Sequence, residues 1–389
     1  MSTPATLSQP ASDLAVPFFS GAASLRRDWN RLAEWLRTVT DAGRFTFGTV
    51  GRQLEESIAS RTGARHAVAV NSGTDALIIM LRAAGIGPGD EVIVPAYTFF
   101  ATASSVLHAG ARPVLVDILP GSYAMDPHRV RAAITDRTRA IMPVHLFTQM
   151  ADMVALGEIA DEYGLQVLED SAEGIGMHID GRAAGRWGRA GVLSFFPTKT
   201  LGALGDAGML LTDDDELAET ARRLRCHGQA TDGSYEYLEL GYNSRCDELQ
   251  AAFLLWRLET LDADIARRAE LASRYDRRLG GLAPRVRTPW LAPARRQSNL
   301  IYYVYLIECE HRDELVAHLT ANGVGTEVYY PRPLTEQPGL AGCAGVDQPV
   351  PVARAASGRA VGLPLYPDLT DDQVDRVCDL VHEFYRERA

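Results

Sequence analysis

The stretch SFFPTKTLGALGDAG, residues 194–208, carries the single lysine of a 389-residue chain. Lys199 stands beside 38 arginines among the 39 Lys and Arg residues. A lysine amine can lose its proton and attack a carbonyl, whereas a guanidinium stays charged. A neutral amine can form a Schiff base with an aldehyde or ketone. A coding bias toward arginine also leaves an occasional lysine behind, so the neighbours must decide. Those neighbours begin with an apolar run, AGVLSFF, and Lys199 follows its end. In open α/β sheets ligands gather beyond the carboxyl ends of the strands.

The pattern repeats on either side. HAVAV (66–70) is followed by the helix-like NSGTDALIIMLRAAG, and DEVIVP (90–95) by TFFATASSVLHAG. RPVLVDI, RAIMPVHLF and LQVLED continue the series, with the helical DMVALGEIADEYG closing on a glycine stop. Strands alternating with helices predict an α/β fold, a mostly parallel mixed sheet flanked by helices. From Asp247 to about Leu279 the pattern predicts one long helix bridging to a second unit. Beyond it, IYYVYLIEC, RDELVAHLTANG and GTEVYY read as strand, helix, strand, and a last helix starts near Thr370. The expected division is a large α/β cofactor-binding domain over 16–260 and a small C-terminal α+β domain over 261–389. Residues 1–15 read as a loose polar tail.

A net charge of -11 argues against nucleic acid or an anionic membrane as a general partner, while leaving room for a local anion pocket. The five cysteines form no CxxC pair, so neither a disulfide framework nor a metal site is expected. No apolar run approaches the roughly 20 residues that span a bilayer. With no secretory signal at the N-terminus, a cytoplasmic location is the expectation.

The polar residues at the strand ends form a set. Asn71-Ser72-Gly73-Thr74 opens a helix after HAVAV, and a helix N-terminus with small residues suits a phosphate. An ordinary N-cap explains the motif equally when it is read alone. Asp170 ends LQVLE as a carboxylate in need of a cationic partner, or else as a cap. Tyr97 and Phe99 offer flat surfaces at the same rim, unless they are core. Ser194 lies five residues before Lys199. A phosphate site, an acid, an aromatic plate and a nucleophilic amine together match pyridoxal 5'-phosphate, which needs a Schiff-base lysine and an acid for its pyridinium nitrogen.

The chain resembles the DegT/StrS family of nucleotide-sugar aminotransferases, within the fold-type I pyridoxal-phosphate enzymes. The likeness runs from VPFF at Val16 to LPLYPDLTDDQVDRV near the end. It includes NSGTDAL, GIGPGDEVIVPAYTF, GARPVLVDI, EDSAEGIG, SFFPTKTLGALGDAG, LRCHGQ, GYNSRCDELQAA and GVGTEVYYPRPL, in order. The resemblance implies that Lys199 is the Schiff-base lysine and Asp170 the partner of the pyridinium. It implies that Gly73, Thr74 and Ser194 hold the phosphate and that Phe99 stacks on the ring. Asn243 of GYNSR resembles the asparagine that reaches the neighbouring subunit's cofactor, which implies a homodimer with shared active sites. Three positions depart from the family pattern. Glu173 stands where Gln or His is usual, and a carboxylate there would repel the cofactor's phenolic oxygen unless protonated or turned away. Thr148 replaces a Gly and Tyr329 a His, where substrate contacts are expected.

The implied activity is transfer of an amino group from L-glutamate to a nucleotide-linked keto sugar, with C4 of a dTDP-4-keto-6-deoxyhexose the expected acceptor. The alternatives are amination at C3 of a dTDP-3-keto-6-deoxyhexose, a same-family sugar dehydratase, and a cofactor-binding regulatory protein. Lys199 speaks against the dehydratases, which carry histidine at that position.

Overall fold

Short apolar runs with buried side chains form the strands of the main sheet. In the computed structural model, which describes residues 14–290, 296, 298–343, 345 and 349–388, these are β1 His66–Val70, β2 Glu91–Pro95, β3 Arg112–Val116, β4 Thr138–Ile141 and β5 Gln166–Asp170. A small hairpin follows, β6 His178–Ile179 with β7 Arg182–Ala183, and then β8 Ala190–Ser194 and β9 Gly208–Thr212. Most of the expected N-terminal tail lies outside the described residues. The seven-stranded sheet runs β1-β9-β8-β5-β4-β2-β3. Pairing from β8 through β3 is parallel, and β9 runs antiparallel to both its neighbours.

Alternation along the strands sends side chains to two cores. On β9, Leu210 packs with Ile79 and Met80 of helix Gly73–Ala83. Met209 and Leu211 pack on the opposite side with helices Thr49–Thr62 and Glu248–Leu258. Helix Met153–Tyr163 covers Ile93 and Ile141. Helices on both faces are what near-continuous apolar strands require.

The C-terminal unit is an antiparallel sheet of β10 Val286–Arg287, β11 Tyr305–Cys309 and β12 Ala360–Leu363. Helices Leu261–Leu279, Arg312–Ala321 and Asp371–Arg386 pack on it, with Tyr275 stacked on Tyr305 at 4.6 Å. The last helix starts where expected, because Thr370 and Gln373 cap each other reciprocally. Asp117, just past β3, accepts hydrogen bonds from Val352 and Ala353 N–H at 3.0 and 2.9 Å. These are free amides in the first turn of helix Pro351–Arg359, so one buried carboxylate ties the two units together.

Three local expectations change. The single helix over 247–279 is two helices, Glu248–Leu258 and Leu261–Leu279. The segment GTEVYY is no strand. Glu327 makes one antiparallel bridge to Gly362, and the chain then leaves the sheet because Tyr97 captures it. The Tyr97 hydroxyl donates to the Tyr329 carbonyl and accepts from Tyr330 N–H. Finally, Val16 bridges Val324 and is buried in the C-terminal core, while Phe18 packs on the cluster of the main sheet.

Candidate active site

Each parallel strand of the main sheet releases its chain on the same side. A pocket of about 390 Å³ opens there, against the C-terminal unit. After β1, the Ser72 hydroxyl accepts from Asp75 N–H at 3.1 Å and caps helix Gly73–Ala83. Among the described residues no acceptor is recorded for Gly73 or Thr74 N–H, although both residues line the pocket. Gly73 is required by close packing: a Cβ there would come 2.7 Å from Ser194 Cβ. Ser194, the last residue of β8, completes this corner. The result is a cradle of free N–H groups beside a hydroxyl, at the positive end of a helix dipole.

Asp170 ends β5 on the pocket wall and is 4% exposed. Its Oδ2 accepts from the Thr102 hydroxyl at 2.7 Å and its Oδ1 from Ala172 N–H at 3.2 Å. Burial pushes its pKa up, against the pull of these two donors, Lys199 and His145. Sequence reasoning missed Thr102. The available signal was its spacing: it sits one helical turn after Thr98, whose hydroxyl is 3.1 Å away.

Lys199 enters through a turn closed by its own N–H on the Phe196 carbonyl at 2.8 Å. Its Nζ lies 3.0 Å from Glu173 Oε1 and 4.3 Å from the centre of the Tyr303 ring. Burial works against the ammonium, but Glu173, Tyr303 and Asp170 outweigh it and leave the lysine pKa raised. Glu173 is itself 5% exposed, and its other oxygen accepts from Phe147 N–H at 2.6 Å. Burial raises this carboxyl too, with Lys199 opposing.

The remaining expected residues divide. Phe99 lines the pocket and is 60% exposed, so its ring is presented rather than packed away. Tyr329 lines the pocket beside Tyr330, and Phe147 packs against both rings. Thr148 does not join them. It sits in a turn behind the wall, its N–H on the Leu146 carbonyl at 2.7 Å and its carbonyl accepting from Ile301 N–H at 3.0 Å. Asn243 is exposed on a loop and is not part of this chain's pocket wall. Tyr303 and Tyr330 were not singled out from the sequence, where they read as strand residues. Among the described residues no group of three or more His, Cys, Asp or Glu is placed to hold a metal ion, and no helix is long and apolar enough to cross a membrane.

The site therefore offers an anion cradle, a buried carboxylate, an exposed aromatic plate and one primary amine. The profile of the DegT/DnrJ/EryC1/StrS aminotransferase family matches residues 28–382. A protein of Geobacillus stearothermophilus named "Pleiotropic regulatory protein" is 44% identical, over 91% of this chain and 94% of its own. The dTDP-3-amino-3,4,6-trideoxy-alpha-D-glucose transaminase of Streptomyces venezuelae is 40% identical, over 97% of this chain and 98% of its own. The crystal structure of S. venezuelae DesV in complex with a ketimine intermediate superposes with a TM-score of 0.90 at 40% identity, covering 95% of this chain and 98% of that one. The chain belongs to the DegT/DnrJ/EryC1/StrS aminotransferase family. It has the fold-type I aminotransferase fold and is a pyridoxal-phosphate-dependent sugar aminotransferase.

Proposed function

We propose that this enzyme moves the amino group of L-glutamate to a ring carbonyl of a dTDP-linked keto-6-deoxyhexose, at C3 in preference to C4. The observation that carries the chemistry is the placement of the only lysine. Its Nζ stands in a pocket whose wall holds Asp170 and whose corner holds unpaired N–H groups. The choice of nucleotide and of C3 is supported by the relative named for a dTDP-3-amino sugar. C4, favoured by the sequence reading, stands second. The relative named as a regulator does not favour a binding-only role, because a binder has no need of an amine, an acid and an anion cradle together.

The residues fit pyridoxal phosphate. Gly73 and Thr74 N–H and the Ser194 hydroxyl are suited to its phosphate, Phe99 to its ring face and Asp170 to its ring N–H. When bound, the cofactor supplies an electron sink for the carbanion formed at the donor's α-carbon. Asp170, held by Thr102 and Ala172, keeps a negative charge where the ring nitrogen's proton must stay. Lys199 Nζ takes the proton from the donor α-carbon in the first half-reaction. In the second it returns a proton to the sugar carbon that receives nitrogen. Such a positioned shuttle contributes about 10²–10⁴-fold. Tyr329 and Tyr330 line the pocket with ring surface, which disfavours water beside the reacting carbon. Asn243, exposed and outside its own pocket wall, is assigned to the cofactor phosphate of a second copy, which makes the working unit a homodimer.

The test is a panel of dTDP- and UDP-linked 3-keto and 4-keto sugars offered with L-glutamate, with the amine position read by NMR. Amination of the dTDP-3-keto sugar is expected. Exclusive C4 products would overturn the regiochemistry, and no aminated sugar with any acceptor would overturn the reading.

A further inference from the structure

Two buried carboxylates, Asp170 and Glu173, share a pocket with one cation. Only Glu173 is hydrogen-bonded to that cation. Its Oε1 is the one acceptor recorded for Lys199 Nζ, at 3.0 Å. Its Oε2 is fixed by Phe147 N–H at 2.6 Å. The side chain is thereby aimed at the amine rather than free to swing. The groups around this pair are few. Asp170 approaches from the end of β5, Tyr303 from the segment before β11, and Tyr329 and Tyr330 from the captured segment after Glu327. Asp206 stands on the more exposed side of the pocket. Among the described residues lining this pocket there is no other Lys, Arg or His.

A protonated lysine is no nucleophile. Before Nζ can attack a carbonyl carbon, one proton must leave it, and the exit the structure provides is Glu173. We infer that Glu173 is the proton partner of Lys199: its Oε1 holds the amine protonated at rest and receives that proton when Nζ turns nucleophile. The inference rests on the cofactor reading above. The balance is one proton: the Nζ–H bond breaks, the Oε1–H bond forms, the ammonium becomes an amine and the carboxylate a carboxylic acid. Neither bears a net charge afterwards, so the exchange leaves neither member of the pair as an unpaired buried ion. Burial raises the Glu173 carboxyl, which makes it a willing acceptor. The same exchange answers the repulsion expected between a carboxylate and the cofactor's phenolic oxygen, since Glu173 is neutral once the lysine has reacted.

The single lysine makes the test clean, because the chain's α-amine is the only other primary amine to compare with it. The full chain, stripped of cofactor, is labelled with trace acetic anhydride between pH 6 and 11. Acetylation at Lys199 and at the α-amine is then counted by peptide mass spectrometry. Glu173→Gln should shift the Lys199 profile down by at least about one pH unit, which raises its acetylation near pH 8 about tenfold while the α-amine profile stays put. Glu173→Asp, which restores a carboxylate, should move the profile part of the way back. Coincident wild-type and Glu173→Gln profiles would overturn the inference. So would equal shifts in the Gln and Asp variants, because the cause would then be packing and not charge. A separate arm treats the wild-type holoenzyme with borohydride. An adduct on Lys199 keeps the cofactor reading whatever the profiles show, and no adduct removes it.

Discussion

Glu169 and Asp170 are neighbours on β5, both buried, and they point to opposite faces of the sheet. Behind the sheet, Glu169 accepts from Gly185, Trp187 and Gly188 N–H at 2.9, 2.6 and 2.7 Å, and lies 2.9 Å from His145 Nε2. The other ring nitrogen, Nδ1, accepts from Ala151 N–H at 3.3 Å, so the imidazole proton sits on Nε2 and is donated to Glu169. Four donors saturate that carboxylate. The backbone is packed to suit it: a Cβ on Gly188 would strike the Val167 carbonyl. On the pocket side, Asp170 and Glu173 have two recorded hydrogen-bond donors each, and burial raises the pKa of both. A saturated buried acid organises the fold. An under-satisfied one beside an amine, facing open volume, is waiting for a ligand.

The largest expected effect breaks the pocket side outright. Lys199→Arg keeps the positive charge near Glu173 but removes the nucleophile and the proton carrier. Turnover should vanish, and borohydride should fix no cofactor to the chain. An active Lys199→Arg enzyme would make the pocket acids as structural as Glu169.

Next come the neighbours themselves, tested in parallel. Asp170→Asn removes the charge facing the ring nitrogen and should slow both half-reactions by about 10²–10³-fold, since preorganised electrostatic groups are worth that much. Its unfolding midpoint in denaturant should hardly move, because an amide oxygen still serves Ala172 or Thr102. Glu169→Gln should do the reverse. Turning one acceptor oxygen into an NH₂ leaves buried N–H groups unpaired at about 1–3 kcal/mol, while kcat per folded molecule stays within a factor of about three. If the two variants behave alike, the division between the faces of β5 fails.

The contrast also explains what the sequence made legible. Strand ends could be read because short apolar runs are local, and Lys199, Gly73 and Asp170 each follow or end such a run. The family blocks then tied them to one cofactor. The Glu169 network could not be read, because three of its donors are backbone amides 16–19 residues along the chain. Tyr303 and Tyr330 were equally hidden: both reach the pocket from the C-terminal unit, Tyr303 with its N–H on the Phe147 carbonyl and Tyr330 through a capture by Tyr97 that spans 233 residues. β9 escaped because its apolar side chains are only three, Met209, Leu210 and Leu211, and so short a run looks the same parallel or antiparallel. The break at Glu259–Thr260 carries no Gly or Pro to mark it. It falls where Arg31 and Trp35 of helix Trp29–Ala42 grip the Glu259 carboxylate, at 2.7 and 2.9 Å.

A smaller effect tests whether the pocket face is complete within one chain. Lys199→Ala and Asn243→Ala chains, each weak or dead alone, are mixed under conditions of subunit exchange. If Asn243 serves the neighbouring site, a mixed dimer has one site with both lesions and one with neither. Activity should recover to about a quarter of wild type when half the dimers are mixed, as two-fold symmetry requires. No recovery despite exchange would return Asn243 to its own chain.

The smallest expected effect separates Asp170 from its support. Thr102→Val removes the hydroxyl that donates to Asp170 Oδ2 at 2.7 Å and keeps the side chain's volume. That hydroxyl favours the ionised carboxylate, so its loss adds to the rise that burial already causes. The sign follows: a higher Asp170 pKa means the charge is lost at a higher pH as acid is added. The acid limb of the kcat/KM profile should therefore move upward in pH, and kcat on the plateau should fall only about 2–10-fold, the worth of one such hydrogen bond. A Thr102→Val enzyme with kcat and acid limb both unmoved would mean that Thr102 only fills space. Asp170 would then owe its charge to Ala172 N–H, to Lys199 and His145, and to the bound ligand.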